Sequence, residues 1–357
     1  LERIELNYSY DYQSSRKRFL ELAESCGGQL QRHVHPLAGP DGELALDVAR
    51  FGNLDSSQAL VLSSGTHGIE GYCGSFIQCE LLGNGIIDRL PGDLCLVLVH
   101  GVNPHGFAWK RRVNEDNIDL NRNFGDYDDA RNTGYREIAK ILEPTEWTAD
   151  STERMWQEIF EVAEKHAHEP GWQGAAITSG QYSFPNGVFY GGTEPAWSNL
   201  KIREVAKSLV GKQVVWLDIH TALGPYGEAE CIVEYMPGTK PLTRSQELWG
   251  SRVKNTKTNE SASADVSGSI SVGTHGELGD ALVMAGLEYG TVKPRQVLEA
   301  VIGDQWLHRY GDLDSDLGRE MKQRMMDAFY PDDPAWRASV YKIALEVIEP
   351  LLGTGAN

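Results

Sequence analysis

The sequence has no long apolar run. Its longest apolar stretches, DLCLVLVHGV (93–102) and QVVWLDI (213–219), fall well short of the ~20 residues a membrane-spanning helix needs, so no such helix is expected. Cysteine is scarce: Cys26, Cys73, Cys79, Cys95 and Cys231 are odd in number, widely spaced and mostly set in apolar runs. That excludes a disulfide framework and a Cys-x-x-Cys metal site and favours a reducing, cytoplasmic setting. Basic residues are outnumbered, 33 Lys and Arg against 51 Asp and Glu, for a net charge of −18. The average surface therefore repels a phosphate backbone or an anionic membrane, and neither nucleic acid nor a membrane is an expected partner. A local cationic pocket is compatible with this. Three catalytic signatures are missing as well: the Gly-x-Ser-x-Gly elbow, the His-Glu-x-x-His zinc helix and the Walker phosphate loop. The first residue is Leu1 rather than methionine, from which we expect that something upstream has been trimmed.

What is present is an ordinary globular composition, 41% hydrophobic and 24% charged, enough for a sizeable core. Short Val/Leu/Ile runs bounded by glycine (ALVLSSG, LCLVLVHGV, QVVWLDIHT, ALVMAGLEYGT) read as strands buried on both faces, with helices as crossovers. The expected fold is a three-layer α/β/α domain over residues 1–357, with a mixed, mostly parallel central sheet. Two segments interrupt the pattern. Residues 126–196, with the helix candidate STERMWQEIFEVAEKHAH and the Gly/Tyr/Pro-rich SGQYSFPNGVFYGG, are too long for a plain connection and read as an insertion beside a site. Residues 255–275, polar and Ser/Thr/Gly-rich, read as an exposed, flexible loop, either a lid or a solvated surface segment. The C-terminal stretch from residue 314 is expected to be helical and to cover the sheet.

GTHGIEGYCG (65–74) places His67 and Glu70 three apart in a glycine-rich turn after a buried strand. The spacing alone is weak, because His166 and Glu169 in HAHE share it at the end of a polar helix, where they read as surface residues. Context separates the two. Open α/β sheets place ligands at the carboxyl ends of their strands; His220 ends a second strand, Glu288 lies near the end of a third, and Asn103, Arg112, Asn121 and Arg122 follow a fourth. An acid or histidine at the exit of an apolar strand is costly unless paired or metal-bound. Singly, His67 and His220 suit satisfied structural histidines, and Glu288 suits an arginine partner; together they point to a site. Asp218, two before His220, faces the same side by strand alternation and either orients a ligand or forms a buried ion pair. Cys73 reads as a half-buried helix residue rather than a nucleophile.

In motif and order, THGIE, NPHGFAWKRRVNEDNIDLNRNF, DIHT and LEYGT resemble the zinc carboxypeptidase family of the carboxypeptidase A type. GQYSFPNGVFYGG and LDIHTALGPYG are similar to a little-characterised carboxypeptidase-like branch, related to the aspartoacylase and succinylglutamate desuccinylase group. The resemblance is dense over 65–125 and thinner over 213–291. It implies a carboxypeptidase-like fold and one zinc ion held by His67, Glu70 and His220. It further implies Glu288 as general base, Arg112 as donor to the tetrahedral oxyanion, and Asn121 and Arg122 as the clamp on a substrate carboxylate. Some positions depart from the pattern. His105 stands where many relatives have aspartate, and the oxyanion arginine is Arg111 or Arg112, with the spacing to Asn114 favouring Arg112. The substrate tyrosine is open among Tyr182, Tyr190 and Tyr226, and His275 either enters the site or lies on the surface.

The expected function is a zinc metallocarboxypeptidase-like hydrolase acting on a peptide with a free carboxylate. A zinc amidohydrolase that deacylates a small N-acyl amino acid shares the same motifs. A metal-binding interaction module without turnover is the third reading, and the presence of Glu288 beside a full ligand set stands against it.

Overall fold

The computed structural model describes residues 9–128, 132–169 and 171–352; Leu1, and residues 129–131 and 170 of the expected insertion, lie outside the described residues. Eight strands form one sheet: β1 (Gln29–Gly39), β2 (Gly42–Gly52), β3 (Gln58–Ser64), β4 (Leu94–His100), β5 (Gln213–Tyr226), β6 (Ala229–Val233), β7 (Val253–Asn255) and β8 (Leu282–Gly290). Their spatial order is β1-β2-β4-β3-β5-β8-β6-β7. The centre, β4-β3-β5-β8, is parallel, which explains its near-continuous apolar sequence: crossover helices cover both faces and leave no solvated side. Towards the edges β1, β2 and β4 pair antiparallel, as do β8 and β6. The expected mixed α/β/α sheet is what forms.

The helices are α1 (Tyr12–Ser25), α2 (Gly71–Gly83), α3 (Pro104–Ala108), α4 (Tyr135–Ile138), α5 (Ala149–Lys165), α6 (Trp172–Thr178), α7 (Trp197–Lys207), α8 (Lys240–Trp249), α9 (Ile270–Leu278), α10 (Pro294–Tyr310), α11 (Asp316–Phe329) and α12 (Pro334–Ile348). One sheet face, with Leu60, Leu62, Leu217 and Leu287, packs on Phe19 of α1, Ile77 of α2, Ile302 of α10, Phe329 of α11 and Val340 of α12. The other, with Val61, Val97, Trp216 and Met284, packs on Ile202 and Val205 of α7 and Ile270 of α9. Insertion helix α5 starts at a Thr148 capping box with Ser151, and buries Met155, Ile159 and Val162 at i, i+4 and i+7, the stripe of a helix docked on one face. Met155 and Ile159 join the insertion to the larger core.

Of the segment 255–275, Asn255 ends β7, Thr256–Thr258 form a 3-10 turn, 259–269 carry neither helix nor strand, and 270–275 begin α9. Ser269 caps α9 by accepting from Val272 N. Gly273 lets the helix sit on Phe124, since a Cβ there would lie 2.1 Å from the ring. Among the described residues, no helix is long and apolar enough to cross a membrane, and all five cysteines are free thiols.

Candidate metal centre

The turn after β3 is held by backbone contacts. Gly68 N donates to Arg112 O at 3.1 Å, Ile69 N to Arg111 O at 2.7 Å, and Arg111 N to Gly106 O at 2.7 Å. A Cβ on Gly68 would lie 2.1 Å from Gly106 C, so only glycine allows the two chain segments to touch. The same pairing aims two neighbouring arginines apart. Arg111 turns away to Asp304 (2.9 Å) and Gln305 (3.2 Å) on α10. Arg112 reaches Asp119 (2.9 Å) and Glu70 (3.3 Å).

His67, Glu70 and His220 converge, with one donor atom from each all within 4.8 Å of one another. His67 Nδ1 lies 2.8 Å from Glu70 Oε1, and His220 Nδ1 lies 2.9 Å from Glu70 Oε2; the two Nδ1 atoms are 3.2 Å apart. Behind each ring stands a buried aspartate: Asp119 Oδ1 is 3.1 Å from His67 Nε2, and Asp218 Oδ2 is 2.7 Å from His220 Nε2. Both imidazoles turn Nδ1 inward; His220 Nε2 faces a carboxylate, the arrangement that fixes ring orientation in metal sites, whereas His67 Nε2 lies between Asp119 and the Arg112 Nη2, the latter 2.7 Å away. Burial works against ionisation of Glu70 and Asp119, but it is outweighed: His67 and His220 draw Glu70 below the ordinary carboxylate range, and Arg112 and His67 do so for Asp119. Burial also works against a charged His220, yet Asp218 and Glu70 raise it well above the usual histidine value.

Glu288 is opposite His220 in the β5–β8 register, on the same face, and accepts from Leu223 N at 2.9 Å. Burial first, and then the Glu70 charge, push its carboxyl up to about 7. Four carboxyl groups (Glu70, Asp119, Asp218, Glu288) therefore crowd two imidazoles, and Arg112 pairs with two of them, Glu70 and Asp119. Two imidazole nitrogens and a carboxylate, buried and surplus in negative charge, suit a divalent cation with a coordination position left open.

Arg122 lies next to this set, behind the Asp119–Arg122 turn. It donates to Thr178 O through Nε (3.1 Å) and Nη2 (2.5 Å) and to Asn121 O through Nη1 (2.8 Å). Gly180, at φ +100°, makes room for it: a Cβ would be 2.7 Å from Arg122 Cδ. Asn121 Oδ1 accepts from Ile270 N at 2.9 Å, tying this turn to α9. Phe189 is a residue that sequence reasoning missed. It is buried, has a left-handed φ of +56°, and its ring centroid is 5.2 Å from Arg112 Cζ and 5.8 Å from Arg122 Cζ. Asp119 was likewise overlooked inside DLNRN, although an acid two residues before the Asn-Arg pair was a readable signal.

Other candidates fall elsewhere. Asn103 caps α3 by accepting from Gly106 N, and Asn114 accepts from Asp116 N and Ile118 N; both are turn-makers. Tyr182 donates to Arg122 O at 2.7 Å, exposed Tyr226 to Asp333 at 2.7 Å, and Tyr190 accepts from Asp119 N through its backbone carbonyl. His275 lies in the last turn of α9. His166 and Glu169 pair 3.0 Å apart after α5, with His166 stacked on Trp172. Cys73 is fully buried rather than half-buried, and burial drives its thiol well above the ordinary value, the opposite of a nucleophile.

Fold and site together define an α/β protein with a buried His-Glu-His candidate metal centre at the carboxyl ends of its parallel strands. The family model described as Protein of unknown function (DUF2817) matches residues 8–343, and the chain belongs to that family. No curated protein matches the sequence. Among solved structures, the chain is similar to bovine thrombin-activatable fibrinolysis inhibitor in complex with tick carboxypeptidase inhibitor, at 11% identity over 89% of this chain and 98% of that one (TM-score 0.41). It is also similar to the succinylglutamate desuccinylase from Chromobacterium violaceum, at 16% identity over 88% and 77% (TM-score 0.39). A third is the succinylglutamate desuccinylase/aspartoacylase from Rhodobacter sphaeroides, at 13% identity over 86% and 68% (TM-score 0.39).

Proposed function

We propose that this protein is a zinc-dependent hydrolase that cleaves an amide bond next to a free carboxylate. The observation that carries the reading is the register of β5 and β8, which sets the Glu288 carboxyl beside His220 of the His67–Glu70–His220 set. When bound, zinc polarises a carbonyl and lowers the pKa of a water to about 7. Glu288 would take a proton from a water held there and pass it to the leaving amine, a role worth ~10²–10⁴ in rate, and a cation that offsets the Glu70 charge would lower its carboxyl from the value it has in the protein alone. Arg112 donates to the oxyanion as it develops. Arg122 and Asn121 are the candidates to hold the substrate carboxylate; Arg122 would do so with the Nη hydrogens left over by its bonds to Thr178 O and Asn121 O.

A deacylase acting on a small N-acyl amino acid is the second reading. It is favoured by the closeness of the site, where His67, Glu70, His220 and Glu288 are all 8% exposed or less. One panel separates the readings: free-carboxylate peptides, their amides, and N-acyl amino acids, assayed with wild type and Glu288→Gln, alongside metal analysis of wild type and His67→Ala. We expect about one zinc per wild-type chain, loss of it in His67→Ala, and loss of turnover with metal retained in Glu288→Gln. Equal activity on amidated substrates removes the carboxylate clamp. Full metal without turnover on any member leaves a binding module.

A further inference from the structure

Asp218 is wholly buried, and among the described residues no arginine or lysine pairs with it. Its Oδ1 accepts from Ser63 Oγ at 2.5 Å and from Thr66 Oγ1 at 2.9 Å. Ser63 Oγ in turn accepts from Trp216 Nε1 at 2.8 Å, which leaves its own proton for Asp218. Oδ2 lies 2.7 Å from His220 Nε2, off the line of the ring N–H, so the contact is an ion pair and Oδ2 has no other partner among the described residues. Ser63 and Asp218 are register partners in β3 and β5, so the contact is fixed by the sheet rather than by a loop. Asp119, the carboxylate behind the other histidine, differs in that Arg112 neutralises it at 2.9 Å. A carboxylate buried with two hydroxyls and one imidazole is costly unless positive charge reaches it through that imidazole.

We propose that Asp218 is a positioning residue of the metal centre: seated by Ser63 and Thr66, it holds His220 with Nε2 protonated and Nδ1 free to coordinate, and so sets the affinity of the centre for its cation. This rests on the reading of His67, Glu70 and His220 as metal ligands. It also assigns a purpose to two small hydroxyl residues that touch no ligand. Ser63 orients one oxygen of Asp218 from β3, and Thr66 does so from the turn that carries His67, coupling the two histidine-bearing segments through one carboxylate.

The test uses the full chain: Zn²⁺ affinity by competition with a chromophoric chelator, and the visible absorption of the Co²⁺ form, for wild type, Asp218→Asn and the double variant Ser63→Ala/Thr66→Val. Loss of an outer carboxylate typically costs ~10–100-fold in metal affinity. We expect that loss in Asp218→Asn, with shifted Co²⁺ bands, and a smaller loss in the same direction in the double variant. Zn²⁺ affinities within twofold of wild type and an unchanged Co²⁺ spectrum in both variants would overturn the proposal. Should Asp218→Asn fail to fold by circular dichroism, the double variant decides alone. Wild type that binds neither ion refutes the metal-centre reading itself, whereas wild type that binds while both variants match it refutes only the role of Asp218.

Discussion

Replacing Gly68 with alanine should damage the site without touching a polar atom in it. The added Cβ would sit 2.1 Å from Gly106 C and 2.3 Å from Phe107 N, whereas carbon atoms rest about 3.5–4.0 Å apart. Relief therefore needs a shift of roughly 1.5 Å between the turn bearing His67 and Glu70 and the chain bearing Arg112. Neither side is a flexible side-chain end; both are backbone. The shift stretches two hydrogen bonds, Gly68 N to Arg112 O and Ile69 N to Arg111 O, each worth about 1 kcal/mol. Adding an overpacking cost of about 1–3 kcal/mol gives a destabilisation of roughly 3–5 kcal/mol. With ~2.1 cal/mol/K of unfolding entropy per residue, 357 residues convert that into a fall in Tm of about 4–7 °C. Because a displacement of ~1 Å at reacting groups can cost ~10²-fold, any measured turnover should fall further than stability does. Differential scanning calorimetry and Zn²⁺ titration of the variant check both parts. A Tm within 1 °C of wild type together with unchanged zinc affinity would refute the contact as the device that assembles the turn.

Two further predictions separate structural from functional charges. Arg111→Met takes one of two cations from buried Asp304, Lys322 being the other, and should lower Tm while leaving metal affinity and kcat intact; Arg112→Met uncovers buried Asp119 and Glu70, so it too should lower Tm, and it alone should lower kcat by ~10²–10³. The reverse pattern would exchange their assignments. For Asp304, burial pushes the carboxyl up, but Lys322 and then Arg111 outweigh it and bring it down to about 2. Against an unfolded value of about 3.9, this depressed pKa contributes about 2–3 kcal/mol that is fully present above pH 5 and fades as pH falls toward 2. The stability gap between wild type and Asp304→Asn, read by urea unfolding, should therefore be constant from pH 7 to 5 and narrow by pH 3. A gap of the same size at pH 6 and pH 3 would count against the ion pair.

The apolar strands were legible because parallel pairing buries both of their faces, so β3, β4, β5 and β8 each announce themselves by composition alone. Edge strand β1 was not, since its residues are largely exposed and carry no apolar alternation. Helix α9 was hidden by Ser269, Gly273 and Gly276, a loop-like composition that is helical here because Gly273 seats on the ring of Phe124. At the site, the residues that meet were visible one by one, but their meeting is set by register and by backbone pairing. That His220 faces Glu288 follows from β5 lying beside β8, which no local pattern records. That Arg112 rather than Arg111 enters the site follows from the hydrogen bonds to Gly68 and Ile69. Phe189 had no sequence signal, since its part depends on two arginines from another segment sharing its ring.

Ser63 and Asp218 stand 155 residues apart in the chain, yet they are partners across adjacent strands. His67 and Glu70 therefore leave the ribosome long before His220, and Glu288 follows later still. Contacts of such separation form late and slowly, so a nascent chain carries only an incomplete pair of donors until β5 slots in beside β3. The three candidate donors are thus brought together only once β5 has docked on β3, so assembly of the centre is tied to closure of the sheet rather than to any local turn.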